Sequence, residues 1–437
     1  MSRFAKINQF LSDAASLYEG RERYIRVLKA LRSLESAYRQ YTKIKNHSTD
    51  PQEKEEAKQA LRFDMAQTVA DVCRENGALW VKFAQYLSCR PDLLPTEFVE
   101  IFQTLQRSAK VIPWSEMLPT IEATWGEHWE RYFKHFDVVP VATASIAQVY
   151  KATLISGEEV AVKVQLPGLE LLLQQDRIAL VNLAKMFRSF FKELDLVQIT
   201  DELIEMTNGE LDFEREQSNI EYFHVLAPHI QIGIPKVFPE LGSSKIIVAQ
   251  WIEGQPLSKV LKEASYEKRH HYLKTLVTSI FRQIFLFGTY HADPHPGNFI
   301  VSENVLYALD FGLVGRLTDA QRKAYAALFM NLLRMGLQSN WAEIFQNAGF
   351  AAESPEIFNK IGDYIATAGR QDSIEEEMSQ LLKDLRQAGI KIPNEFIVLS
   401  RVIIVLGGLL KQIQVSPREL LTECLFSMGA AEVKTTV

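Results

Sequence analysis

Three oxygen-bearing side chains fall within one short part of the chain. Asp293 and Asn298 lie five residues apart in HADPHPGN (291–298), and Asp310 opens DFG (310–312) twelve residues later. Carboxylates and amide oxygens are hard donors. Mg2+ prefers such donors and commonly takes one or two carboxylates together with phosphate oxygens. Between Asn298 and Asp310 the chain reads FIV, a turn at Ser302–Asn304, then VLYALD. That pattern is a hairpin, and a hairpin returns Asp310 to the neighbourhood of the first loop. Gly297 and two prolines shape that loop, and Gly312 permits a tight turn after Asp310. The chemistry this spacing suits is metal-assisted handling of a phosphate. Asn298 and Asp310 are the expected metal ligands, and Asp293 the base or the group that orients a nucleophile. His291 and His295 share the loop. Hydrogen bonds that stiffen it are the favoured reading, with a zinc site as the alternative.

An Asp-x4-Asn spacing followed by DFG is also the spacing of a protein-kinase catalytic loop. A phosphate site of that kind needs a cation, and Lys163 in VAVKV (160–164) is the candidate. Val162 and Val164 face one side of such a strand, so Lys163 points with Ala161 and Gln165. It is either an exposed edge lysine or the lysine that contacts the α- and β-phosphates and pairs with a helix glutamate. GELDFEREQSN (209–219) offers Glu210, Asp212, Glu214 and Glu216 for that pairing. Periodicity does not choose among them, and a solvated acidic face stays open.

Before the lysine, where a kinase carries a glycine-rich loop, the chain reads PVATASIAQVYKA (140–152). Alanines can still let a backbone approach phosphates, but their Cβ atoms disfavour positive φ. The loop is expected to be stiff and to hold nucleotide in a restricted pose. The nucleotide-binding set is therefore read as Ala142, Thr143, Ala144, Ser145, Ile146, Ala147 and Gln148, with Lys163, Gln250 and Ile252.

The elements that must position these residues change character along the chain. Residues 1–62 read as polar helix with a break at Asp50-Pro51, and 63–86 continue as a helix that Arg90-Pro91 ends. Two helical stretches follow over 96–135, separated at Ile112-Pro113. QVYKATL (148–154), the turn SGEE and VAVKV form a hairpin. PGLELLLQQD opens a helix, helical patterning runs to about residue 224, and KIIVAQW (245–251) is a buried strand. Leu273, Leu276, Val277, Ile280, Ile284 and Phe287 recur at helical spacing, and from about 318 the pattern is almost wholly helical. The expected fold is α+β: two lobes of protein-kinase-like type with a helical N-terminal extension and a large helical C-terminal lobe. The expected parts are 1–62 as the extension, 63–135 as a helical segment, 136–256 as the small-sheet lobe, and 257–437 as the helical lobe.

The 437 residues, 47% of them hydrophobic, suffice for two domains. A net charge of −6 argues against a nucleic-acid partner. Residues 1–45 nevertheless carry ten Lys/Arg against four Asp/Glu. This is either a solvated helix face or a segment drawn to anionic lipid. Cys73, Cys89 and Cys424 show no paired spacing, which fits a reducing compartment. FIVLSRVIIVLGGLL (396–410), interrupted by Arg401, falls short of a membrane span and reads as a buried core helix. A cytoplasmic location with peripheral membrane contact is expected.

With these motifs together, the chain resembles the UbiB (AarF-related) family of atypical, protein-kinase-like proteins. The likeness spans about residues 65–330. KFAQYLSCRPDLLP (82–95) is similar to that family's Lys-x-Gly-Gln run, with Lys82, Gln85, Ser88, Arg90, Asp92 and Pro95 in place and Ala84 where the family has glycine. ATASIAQVY resembles its alanine-rich loop, and ELDFEREQSN its Glu-x-Asp motif. The resemblance implies ATP (or ADP) with Mg2+, Glu216 as the partner of Lys163, and Glu210 and Asp212 as a gating pair. It also implies that the helix bearing Lys82 and Gln85 covers the active site, with a Lys82–Glu210 contact. Family analogy points to a small or lipid-like substrate, ATP hydrolysis or phosphorylation, and quinone-biosynthesis proteins as partners. C-terminal transmembrane helices, common among members acting in ubiquinone synthesis, are not visible here. A true protein kinase and a nucleotide-binding regulator with little phosphotransfer are the competing readings; no Ala-Pro-Glu segment follows DFG, which disfavours the first.

The alanine-rich loop gives a direct test. Ala144→Gly is expected to change nucleotide affinity several-fold while shifting stability by no more than about 1 kcal/mol. Calorimetric nucleotide titration and urea unfolding of both proteins measure the two effects.

Overall fold

A computed structural model describes residues 21–88, 96–103, 111–170, 211–332, 340–367 and 374–412, together with residues 94, 105, 174, 176, 177, 180, 181, 200, 204, 207 and 209. The chain divides into two compact units. Met1–Trp129, Asp137–Tyr150 and Lys163–Leu211 form the first; Glu130–Phe136, Lys151–Val162 and Asp212–Val437 form the second.

The first unit is largely helical. Its described helices are α1 (Arg21–His47), α2 (Pro51–Asn76), α3 (Ala78–Ser88), α4 (Thr96–Gln103) and α5 (Trp114–Trp125). The break at Asp50-Pro51 is a helix start: the Asp50 carboxylate accepts the Gln52 N–H at 2.9 Å, and Pro51 occupies the first turn. Both features suit residues that precede or open a helix. The expected single helix over 63–86 is instead interrupted at Gly77. Its φ of +68° is costly for a residue with a Cβ, and its N–H returns to the Cys73 carbonyl at 3.0 Å. Pro113 separates α4 from α5, as its sequence position predicts. α5 buries Met117, Ile121 and Trp125, four residues apart on one face. Trp114 adds edge-on contacts with Trp129 and Tyr150, at centroid distances of 5.7 and 5.4 Å.

The helix expected to reach residue 135 stops at Gly126 (φ +82°). A 3-10 turn, Trp129–Tyr132, leads into strand β1 (Phe133–Phe136), which pairs antiparallel with β3 (Ala147–Leu154). In FKHF the first residue is buried and the middle two are exposed. So short an edge strand has no period of its own to read; its partner decides it. β2 (Ala142–Thr143) also pairs with β3, Ala142 opposite Val149 and Thr143 opposite Gln148. The main strand order is β1-β3-β4-β5, where β4 is Glu159–Gln165 and β5 is Ile246–Gln250. Along β4, Val160, Val162 and Val164 are buried while Ala161 and Lys163 are half-exposed.

In the second unit α6 (Phe213–Ile230) precedes β5, and β6 (Gln255–Pro256), α7 (Leu257–Glu263) and α8 (Tyr266–Arg282) follow it. α8 ends in a π-turn, Gln283–Phe287, closed by Gly288 in the left-handed region. The chain then becomes short-stranded: β7 (Thr289–His291), β8 (Phe299–Ser302), β9 (Val305–Ala308) and β10 (Val314–Arg316). β8 and β9 form the expected hairpin, with Glu303 and Asn304 at φ +47° and +66° in its two-residue turn. Described helices α9 (Asp319–Leu332), α10 (Trp341–Asn347), α11 (Pro355–Thr367), α12 (Ile374–Gln387) and α13 (Asn394–Gln412) complete the unit. α13 is the buried core helix read from the sequence: Phe396, Leu399, Val402, Ile403, Leu406 and Leu410 are all buried. Among the described residues no helix is long and apolar enough to cross a membrane.

β7 and β10 pair with Val314 opposite His291 and Gly315 opposite Tyr290. Tyr290 is fully buried, and a Cβ on Gly315 would lie 2.2 Å from its ring. The ring is enclosed and has nowhere to retreat. Gly315→Ala is therefore expected to destabilise the protein by about 1–3 kcal/mol, read as a fall in the urea midpoint; an unchanged midpoint would contradict this packing.

Candidate functional site

The two loops that carry the expected phosphate chemistry are stitched together through the backbone. The Ala292 N–H bonds to the Leu313 carbonyl at 3.0 Å, and the Leu309 N–H to the Asn298 carbonyl at 2.9 Å. The β8–β9 hairpin supplies the intervening turn, so these two bonds tie the segment bearing Asp293 and Asn298 to the one bearing Asp310. Within this frame the Asn298 amide nitrogen donates to both the carbonyl and the Oδ2 of Asp293, each at 3.0 Å. With the amide nitrogen so engaged, the side-chain oxygen is the atom of Asn298 with the chemistry to serve a cation. Asp310 Oδ1 accepts the Gly312 N–H at 3.0 Å, which fixes the carboxylate across the turn. An amide oxygen and a carboxylate are the hard donors a magnesium ion takes, so the donor set fits that ion.

Both loop histidines are bonded as the favoured reading expected. His295 Nδ1 accepts the Gly297 N–H at 3.1 Å, and His291 Nδ1 accepts the Asp293 N–H at 3.1 Å. Because its Nδ1 is an acceptor, His291 carries its proton on Nε2. The ring is buried against Phe299 and Phe311, at 5.3 and 5.2 Å between centroids. Burial depresses its pKa, and the charges of Asp293 and Asp310 only partly oppose that. Burial thus favours the neutral imidazole, packed between the two phenylalanine rings. No group of three or more His, Cys, Asp or Glu able to hold a metal ion occurs among the described residues.

α6 grips the DFG turn at three points. The Asn219 amide donates to the Phe311 carbonyl at 3.0 Å, Glu216 Oε1 accepts the Phe311 N–H at 3.4 Å, and the rings of Phe223 and Phe311 lie 4.9 Å apart. Residues 216, 219 and 223 share a helix face, which is why one helix can do this. Arg316 donates to the Asn219 oxygen at 3.0 Å and orients that amide. Among the four acids offered by 209–219, Glu216 is buried, with 2% of its surface exposed, whereas Glu214 is exposed. Asp212 is exposed and caps α6, accepting the Arg215 N–H at 2.9 Å. Sequence reasoning missed Asn219, Phe223 and Arg316. It also missed Arg401 of α13, whose guanidinium lies 3.5 Å from Asp293 Oδ1. For Arg401 the sequence signal was a charged residue standing within an otherwise apolar run.

The other expected residues divide as follows. In the first unit, Lys163 is half-buried on β4 and Lys82 half-buried on α3, beside the wholly buried Ala84. The side chain of Gln85, and Glu210 with the Lys82–Glu210 contact, lie outside the described residues. In the alanine-rich loop, Ala142 is exposed, Thr143, Ala144 and Ser145 are half-buried, and Ile146 and Ala147 are buried. The Ala144 N–H bonds to the Ala147 carbonyl at 2.8 Å, and no residue from 142 to 148 has a positive φ. Gln148 is fully buried. Its Oε1 accepts the Ile112 N–H at 2.5 Å, and its Nε2 donates to the Ile112 carbonyl and the Tyr150 hydroxyl. That side chain braces the segment before α5. In the second unit, Ile252 is buried and Gln250 exposed, its Oε1 accepting from the Lys236 N–H at 3.4 Å.

A family model described as the ABC1 atypical kinase-like domain matches residues 104–343. The Synechocystis protein slr0889 is 30% identical over 275 residues, 59% of this chain and 67% of that protein. The AarF domain-containing protein kinase 1 of Xenopus tropicalis is 26% identical over 392 residues, 84% of this chain and 74% of that protein. Among solved structures, the Mycobacterium tuberculosis protein Rv3197 in its erythromycin complex is similar at a TM-score of 0.51 and 25% identity. That likeness covers 77% of this chain and 89% of the other.

The buried histidine sets a pH dependence. Its folded pKa is lowered, so above the unfolded value of about 6.5 it is neutral in both states and contributes no slope. As pH falls below that value the unfolded chain gains a proton that the native ring refuses, and stability is lost by up to about 1.4 kcal/mol per pH unit. His291→Gln, which keeps an acceptor for the Asp293 N–H, is expected to flatten the fall in unfolding free energy between pH 7 and pH 5. Equal slopes for the two proteins would show that the ring titrates normally.

Proposed function

The chain belongs to the ABC1 (AarF-related) atypical kinase-like family, and from that premise we propose that it binds ATP or ADP with Mg2+ and catalyses phosphoryl transfer or ATP hydrolysis. The observation that carries this reading is the locked pair Asp293–Asn298, stitched to the loop that bears Asp310. Asn298 and Asp310 would hold the metal, which when bound would neutralise phosphate charge. Asp293, held by Asn298, is aimed to accept or orient the proton of an attacking hydroxyl or water. In this reading Lys163 would contact the phosphates, Glu216 would orient Lys163, and the loop 142–148 with Gln250 and Ile252 would hold the nucleotide. Phosphoryl transfer asks a protein mainly for positioning and charge neutralisation, and these residue types suit both tasks.

The proposed acceptor is a small or lipid-like molecule, in support of isoprenoid-quinone or lipid metabolism and its proteins. Two facts favour this over a peptide: the absence of Ala-Pro-Glu after DFG, and the capture of a relative of similar fold with erythromycin, an organic molecule. Peripheral membrane contact through the basic segment 1–45 belongs to the same proposal, with Lys82, Gln85, Glu210 and Asp212 as gating residues.

The test is ATP hydrolysis by the full chain, with and without anionic liposomes and phenolic quinone precursors. Wild type is expected to turn over slowly and to be stimulated by these additions. Asp310→Asn is expected to lose at least about tenfold in kcat, the scale of removing one charge-stabilising group. Hydrolysis by Asp310→Asn at the wild-type rate would remove the metal role. Phosphorylation of a generic protein in preference to the phenols would favour a true protein kinase.

A further inference from the structure

The ion pair between Arg401 and Asp293 joins the catalytic loop to a helix 108 residues further along the chain. Arg401 Nη2 lies 3.5 Å from Asp293 Oδ1, while Asp293 Oδ2 accepts from Asn298. The two carboxylate oxygens are therefore claimed by different groups. Each side chain in the ion pair is mostly buried, with 19% and 17% of its surface exposed. Around Arg401, α13 is mostly apolar: Leu399, Val402, Ile403 and Ile404 are buried. A guanidinium in such a helix is a poor choice for stability, since a hydrophobic residue of similar volume is often as good or better there. The loop itself, HADPHPGN, contains no Lys or Arg. Its position 295 is an exposed histidine whose Nδ1 is occupied by the Gly297 N–H. A reaction that gathers phosphate charge beside Asp293 and Asp310 thus finds no cation in the loop, and finds one on α13.

We propose that Arg401 is a positioning residue of the phosphoryl-transfer site: it holds the Asp293 carboxylate in the orientation the nucleophile requires and supplies positive charge beside it. The inference rests on the function proposed above. Arg is suited to the task because its planar fork directs several donors at once, whereas Lys offers a single charged centre on a flexible stem. An ion pair serving only to fasten α13 would show itself in stability, while a positioning residue shows itself in turnover.

The experiment compares full-length wild type, Arg401→Met, Arg401→Lys and Asp310→Asn. ATP hydrolysis gives kcat and KM, and thermal melting is followed with and without a non-hydrolysable ATP analogue. Arg401→Met is expected to lose tenfold or more in kcat with KM for ATP changed less than threefold. Its melting shift on binding the analogue should match wild type, and Arg401→Lys should recover part of the lost kcat. Wild-type turnover in Arg401→Met overturns the inference. So does a loss of kcat that follows a lowered melting temperature equally in the Met and Lys variants. In both cases an active wild type and an impaired Asp310→Asn leave the proposed function standing. A wild type that neither melts higher with the analogue nor hydrolyses ATP overturns the proposed function, and the role of Arg401 with it.

Discussion

The hold of α6 on Phe311 is the constraint on which the loops bearing Asp293 and Asp310 depend. Phe311 is buried, so its N–H and C=O cannot be left to water and need partners within the protein. Strand pairing resumes only at Val314. Side chains of α6 fill the gap, Asn219 at the carbonyl and Glu216 at the N–H, while Phe223 meets the ring. Asp310 lies one residue before this fixed point and Gly312 one residue after it, so the Asp310 carboxylate inherits its place from a helix nearly a hundred residues earlier.

The same column of rings extends to the other loop. Phe223, Phe311, His291 and Phe299 follow one another at centroid spacings near 5 Å. His291 has two jobs in it, as an apolar disc between phenylalanines and as the acceptor that fixes the Asp293 N–H. A phenylalanine could do only the first. A charged imidazole could do neither well, since it would need a partner for its charge and could not accept at Nδ1. The neutral form that burial favours therefore suits the bond that fixes Asp293.

Polar side chains with partners elsewhere along the chain recur as the device that joins separate segments. Gln148 ties β3 to the backbone of Ile112, and Gln283 of the π-turn accepts the His291 N–H at 2.9 Å. Arg316 steadies Asn219, and Arg401 reaches Asp293. Each replaces a backbone or charge requirement that local secondary structure leaves unmet. A buried polar group without its partner costs more than the bond contributes when made, so such joints form in one arrangement and resist sliding.

What the sequence determined by itself was whatever depends on near neighbours. The spacing of Asp293, Asn298 and Asp310 around a hairpin, the alternation that buries Val160, Val162 and Val164, the cap at Asp50 and the apolar stripe of α13 all follow from periods and turn chemistry within a few residues. A resemblance carried by several motifs then sufficed for the family. Tertiary structure decided the rest. FKHF becomes a strand only because β3 offers it an edge. The helix through 63–86 breaks at Gly77, whose permissive φ is usable but not compulsory in a sequence. Among the described acids of one short stretch, Asp212 and Glu214 are exposed and Glu216 is buried, where Phe311 approaches. Gln148, a ligand candidate by position, spends its amide on Ile112, and Arg401, an interruption in an apolar run, becomes the neighbour of Asp293. Local rules act through a few bonds of chain and are written in the order of residues. Partners brought together across a hundred residues are selected by packing, which no short window of sequence contains.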